Sequence, residues 1–161
     1  LMQALREWVE GPKVTGEFTL ATHVSTVAEA AAFYHLDAVL VPAEMPLAPL
    51  LDAGVEVLVK MPADYTAVRN FSVQNAAFRG TLVLELPASA TDWHDALDWL
   101  LEVSSVHPVL LQWAGTAAEV PSVLQKSGAA GLSLTGGDEE QVGVKSFDDL
   151  NEVFDVLEAM R

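Results

Sequence analysis

The chain has 161 residues, enough for one domain with a sizeable core. At 51% hydrophobic and 19% charged residues, the composition excludes a disordered chain. Its 23 Asp and Glu against 8 Lys and Arg give a formal net charge of −15, which argues against a nucleic-acid partner or an anionic membrane surface, because both need clustered cations.

Taken in order, "LMQALREWVE" (1–10) places Met2, Leu5, Trp8 and Val9 at helical spacing. It reads as the body of a helix rather than a signal peptide, as though a segment upstream were missing. "GEFTLATHV" (16–24) reads as a strand, and "STVAEAAAFYH" (25–35) as a helix with Ser25 as its N-cap. "DAVLVP" (37–42) is a short apolar run closed by proline, hence a buried strand. "MPLAPLLDAG" (45–54) allows a short helix with proline near its start and Gly54 at its end. "VEVLVKM" (55–61) is a strand, "ADYTAVRNFSVQNAAFRG" (63–80) holds a less periodic helix, and "TLVLELP" (81–87) is a strand. "TDWHDALDWLLEVSS" (91–105) is a helix capped by Thr91, with Trp93, Leu97, Leu100 and Leu101 on one face. "HPVLLQWA" (107–114) is a strand and "TAAEVPSVLQKSG" (116–128) a helix with Pro121 near its first turn. "AGLSLTG" (130–136) is a strand, and "SFDDLNEVFDVLEAMR" (146–161) is a helix capped by Ser146.

Six β-α units therefore follow the opening helix. Their short strands, rich in Val and Leu, predict a parallel sheet covered on both faces. No linker marks a boundary, so residues 1–161 read as a single domain. The fold class is α/β. Two architectures remain open, a (β/α) barrel and a doubly wound sheet; six units suit the sheet, and eight are needed to close a barrel.

In both architectures function sits at the C-terminal ends of the strands. Those ends offer Thr22 and His23, Ala43 and Glu44, Lys60, Glu85, Gly115 and Thr116, and Thr135, Gly136 and Gly137. Gly136 and Gly137 leave backbone amides unobstructed, and Gly115 and Thr116 do so one strand earlier, just before a helix. Such amides can hold a phosphate, although glycine at a strand end commonly makes only a turn. Glu85 ends a strand with no charge beside it in sequence, and a partly desolvated carboxylate can act as a general acid; the plainer alternative is an ion-paired surface Glu. Lys60 is a candidate partner for Glu85 or for a substrate anion, or a solvated rim lysine. His23 and Trp113 are candidates to line a pocket. Trp8, Trp93 and Trp99 fit helix packing, and His35 and His94 fall on helices. The histidines have no metal-ligand spacing, and the sequence contains no cysteine. It therefore carries neither a disulfide framework nor thiolate chemistry, as a cytoplasmic protein would. Neither a metal nor a cofactor is called for, and no apolar run approaches the roughly 18–20 residues of a membrane span.

The stretch "GLSLTGGDEEQVGVKSFDDLNEVFDVLEAMR" resembles the C-terminal end of phosphoribosylanthranilate isomerases. That family carries a last strand of the type G-V-D-V-S-S-G-V-E, then P-G-V-K-D and a final helix. Gly131, Thr135, Gly137, Glu139, Gly143, Val144 and Lys145 keep that order, with Val142 where proline is common. "PVLLQWAGTAAEV" resembles the seventh strand and the start of its helix. "STVAEAAAFYHLDAVLVPAE" with "GVEVLVKM" resembles the third helix through the fifth strand, and "LREWVEGPKVTGEFTL" the second helix entering the third strand. The resemblance implies an eight-stranded (β/α)8 TIM barrel, N-terminally incomplete here, that lacks the first strand, first helix and second strand. It implies a phosphorylated small-molecule substrate and an Amadori rearrangement in tryptophan biosynthesis, with Gly115, Thr116, Thr135, Gly136 and Gly137 holding the phosphate. The family's acid is an aspartate ending the sixth strand, and Glu85 stands nearest that place. Its base is a first-strand cysteine, which has no counterpart here, and its fourth-strand Q-L-H-G pattern is replaced around Val39–Pro42. The alternative is a catalytically inactive or repurposed phosphate-binding homologue, or another phosphosugar enzyme on the same barrel. A barrel short of two strands would expose sheet edges, which predicts pairing with an unseen segment or a homo-oligomer.

Overall fold

The computed structural model describes residues 14–86, 93–113, 115–135, 139–141, 144–145 and 148–160. Strands and helices alternate through them: β1 (Thr15–Glu17), α1 (Val24–Phe33), β2 (Ala38–Pro42), α2 (Ala48–Asp52), β3 (Glu56–Pro62), α3 (Tyr65–Gln74), β4 (Thr81–Glu85), α4 (Trp93–Ser104) and β5 (Val109–Gln112). A 3-10 turn (Ala117–Glu119) leads into α5 (Val120–Ser127), followed by β6 (Gly131–Ser133), β7 (Glu139–Gln141), β8 (Val144–Lys145) and α6 (Asp148–Ala159). The first six strands lie in chain order in one sheet, and β7 and β8 pair antiparallel as a separate ribbon. The pairs β1–β2, β2–β3 and β5–β6 are parallel, as the alternating pattern predicts. The residues group into two compact units, one of the residues up to Met61 with Gly80–Leu82, the other of Pro62–Arg79 and Val83 onward.

In the first unit, register sorts side chains by face. Val39 pairs with Val57 and Val41 with Val59, and all four are buried. Their side chains share one face because alternate residues of a strand point the same way. α1, which contributes Val27 and Ala31, packs on β2, and Leu50 of α2 joins the same core. Each buried Val or Leu side chain contributes roughly 1.5–3 kcal/mol. The opposite face carries Glu17, Leu40 and Leu58 at one level, with Pro42 and Lys60 one step further on.

The local chemistry of the ends departs from expectation at several points. β1 is only three residues long, because the chain turns at Thr19–Thr22, where the Thr22 amide donates to the Thr19 carbonyl at 3.0 Å. The N-cap of α1 is His23 rather than Ser25: its Nδ1 accepts from the Ser25 amide at 3.3 Å. That helix stops at Phe33, two residues early, with Tyr34 as C-cap and His35 at φ 52°, where glycine is the usual occupant. Pro49 opens α2, and Gly54 follows its end at φ 73°.

In the second unit, Asp64 caps α3 by accepting from the Ala67 amide at 2.8 Å. Val68, Phe71, Phe78, Val83, Leu84, Val109, Leu111, Val120, Val123 and Val153 form the core, with Phe71 and Phe78 edge to face at 5.6 Å. Leu100 of α4 is buried as predicted, but Leu101 is 53% exposed, because the helix turns about 100° per residue and carries it off the packed stripe. α5 begins with Pro121 in its first turn and ends at Gly128, which takes the left-handed conformation at φ 66°. The expected helix at 1–10 and the capping roles of Thr91 and Ser146 fall outside the described residues.

Candidate functional site

Three strands whose C-terminal ends lie in the second unit end at one level. The Leu86 amide donates to the Gln112 carbonyl at 2.9 Å. In a parallel ladder that bond makes Glu85 and Gln112 register partners, and Gln112 is itself the partner of Ser133. Glu85, Gln112 and Ser133 thus form a row across β4, β5 and β6, about 4.8 Å from strand to strand and on one face.

This row lines a cavity of about 390 Å³. Beyond it, Leu86, Trp113 and Gly115 contribute from the strand ends, Leu134 and Thr135 from the exit of β6, and Leu150 and Val153 from α6. The volume falls within the range of small-molecule sites. Of the residues expected from the sequence, Glu85, Trp113, Gly115 and Thr135 come together here. Gln112, Ser133 and the two α6 side chains were not singled out; the signal available for Gln112 was its place as the first polar residue after "VLL". Among the described lining residues Glu85 carries the only charge.

Gly115 has a packing reason for being glycine. A methyl group built on its Cα would fall inside the Trp113 indole, which occupies that space. The indole Nε1 is buried and meets no hydrogen-bond partner among the described residues. Thr116 is committed differently. Its amide donates to Glu119 Oε2 at 3.0 Å and its hydroxyl to the same oxygen at 2.7 Å. This is a capping box, so the two donors expected to meet a phosphate already hold a carboxylate. Gly136 and Gly137 lie outside the described residues.

The remaining candidates belong to the first unit. Lys60 Nζ lies 3.2 Å from Glu17 Oε1, an ion pair that spans β2 on the face away from α1. His23 is exposed, and its Nδ1 also stands 2.8 Å from Ser25 Oγ. No group of three or more His, Asp or Glu side chains among the described residues is placed to hold a metal. No helix among them is long and apolar enough to cross a membrane.

Parallel strands in chain order, alternating with helices and carrying a cavity at their C-terminal ends, define a protein of the (β/α)-barrel class. Solved structures bear out that class. The chain is similar to phosphoribosylanthranilate isomerase from Thermotoga maritima, at a TM-score of 0.74 and 14% identity over 98% of this chain and 78% of that one. It is similar to a phosphoribosylanthranilate isomerase in complex with reduced 1-(o-carboxyphenylamino)-1-deoxyribulose 5-phosphate, at 0.70 and 17%, over 97% and 78% of the two chains. It is also similar to 3-hexulose-6-phosphate synthase, at 0.63 and 16%, over 96% and 78%. No protein-family model and no curated protein sequence matches the chain.

Proposed function

We propose that the chain acts on a phosphorylated sugar as a phosphoribosylanthranilate isomerase-like protein, with Glu85 as the proton donor. The observation that carries this reading is the cavity that joins Glu85, Gly115 and Thr135 at the ends of β4, β5 and β6. The likeness to a structure holding a deoxyribulose 5-phosphate derivative supports it. The order of Gly131, Thr135, Gly137 and Glu139 in the sequence supports it from a separate direction.

In this reading the Glu85 carboxyl gives its proton to the ribose ring oxygen as the C1′–O bond breaks. The electron pair of that bond leaves with the oxygen as a hydroxyl, and the nitrogen lone pair forms a C1′=N bond. Transfer of the C2′ proton to solvent water then gives an enolamine that tautomerises to the ketose. The cavity lining supplies no cation among the described residues. In this reading neutral donors, backbone amides and the Thr135 hydroxyl, hold the phosphate.

The test is turnover of N-(5-phosphoribosyl)anthranilate, followed by the loss of its fluorescence. Glu85→Gln, which keeps shape and removes the acid, should lower kcat by roughly 10²–10⁴-fold. An unchanged rate removes Glu85 from the mechanism. Tight binding of the reduced product analogue without turnover favours a repurposed phosphosugar-binding protein. Absence of both excludes the phosphosugar reading.

A further inference from the structure

The row at the cavity floor contains more than the sequence resemblance asks for. Gln112 and Ser133 are register partners, stand on the same face as Glu85, and line the same cavity. Both are half-buried, and neither is engaged by another described side chain. Gln112 is flanked on its own strand by Leu110 and Leu111, and Ser133 is flanked by Leu132 and Leu134. Two neutral hydrogen-bonding groups thus sit among apolar neighbours, next to Glu85, the one charge among the described lining residues.

We propose that Gln112 and Ser133 are substrate-positioning residues that read the hydroxyl groups of a polyol, on the carbons next to the one Glu85 serves. The chemistry of the two groups selects that ligand class. A carboxamide and a hydroxyl each donate and accept, and so does an alcohol. A phosphate would use only the donor half of each group, since its ionised oxygens only accept. The spacing fits as well. Strand neighbours about 4.8 Å apart present successive side chains at intervals that a short hydroxylated carbon chain can follow. An unpaired polar group at such a site discriminates against ligands lacking the matching hydroxyl more strongly than an apolar wall would. This assignment rests on the phosphosugar reading of the cavity and adds to it which part of the sugar is recognised, and by which atoms.

The test uses the whole chain, with D-ribose 5-phosphate and inorganic phosphate as probes in calorimetric titrations. The wild-type protein should bind the sugar phosphate at least roughly tenfold more tightly than phosphate. Gln112→Leu and Ser133→Ala should each weaken sugar-phosphate binding by roughly 3- to 10-fold, the worth of one hydrogen bond, and leave phosphate binding unchanged. Each variant is read by itself, so a folding defect in one leaves the other to decide. If both variants bind ribose 5-phosphate as tightly as wild type, or if wild type does not prefer it over phosphate, this inference is wrong while the phosphosugar reading stands. If wild type binds neither probe, that reading fails and the inference with it.

Discussion

The two compact units place polar side chains at the C-terminal ends of their strands in the same manner, and to different effect. In the first unit, Glu17 and Lys60 sit an even number of register steps apart, so their side chains share a face and meet across β2 at 3.2 Å. His23, expected at a strand end, follows the turn after β1 and caps α1. In the second unit, Glu85 stands in register with the neutral Gln112 of β5, which pairs in turn with Ser133 of β6, and the row opens on a cavity of about 390 Å³. A charged residue at a strand end is thus weak evidence of a site. What matters is which residue type stands in register with it, and whether the space beyond is filled.

The sharpest way to break this comparison is at Gly115. Its lack of a side chain admits the Trp113 indole, which forms one wall of the cavity. Gly115→Val should drive the ring out or shift the loop, at a cost of about 1–3 kcal/mol in unfolding free energy. Denaturant titration would measure it, and a changed tryptophan emission would report the displaced ring. Combining it with Trp113→Ala should recover much of that loss, since the two side chains would no longer compete for one space. If Gly115→Val is as stable as wild type and only ligand binding suffers, the glycine serves to bare its amide, as the sequence alone had suggested.

That case also shows where the sequence was readable. The alternation of short Val- and Leu-rich runs with capped amphipathic segments predicts the six parallel strands, because burial on both faces and helix periodicity are local properties. The ends were less legible. "GEFTLATHV" reads as a strand throughout, yet the chain turns after Phe18 and leaves Leu20 exposed. Ser25 is the stronger N-cap type, yet His23 takes the place because the helix starts two residues earlier. At the site, Glu85, Trp113, Gly115 and Thr135 could be found from their positions at strand ends. Gln112 and Ser133 could not, because their pairing with Glu85 is a matter of register between strands distant in sequence, and Thr116 looked available only because Glu119 was read as part of a helix.

Glu119 gives a smaller effect that sharpens the same contrast. Its carboxylate receives both donors of Thr116, so Glu119→Ala should cost about 1 kcal/mol through loss of the capping box. The same change releases an amide and a hydroxyl beside Gly115 and removes a negative charge. Inorganic phosphate should therefore bind more tightly to the variant, even though the variant melts earlier. A joint loss of stability and of phosphate binding would mean that the capping box shapes the anion end rather than closing it.

The smallest effect is expected in the first unit. Glu17 is 60% exposed and Lys60 27%, so their attraction acts largely through water, and two long side chains must be held in one geometry to make it. Exposed pairs of this kind contribute about 0–1 kcal/mol. Glu17→Gln should accordingly lower unfolding free energy by no more than that. The difference from wild type should shrink further in about 1 M salt, where the screening length falls to roughly 3 Å. Turnover and ribose 5-phosphate binding should not change, because the residue ends a strand of the unit that does not carry the cavity. A drop in kcat at constant stability would give Lys60 and Glu17 a place in the chemistry, and the contrast between the two sets of strand ends would no longer hold.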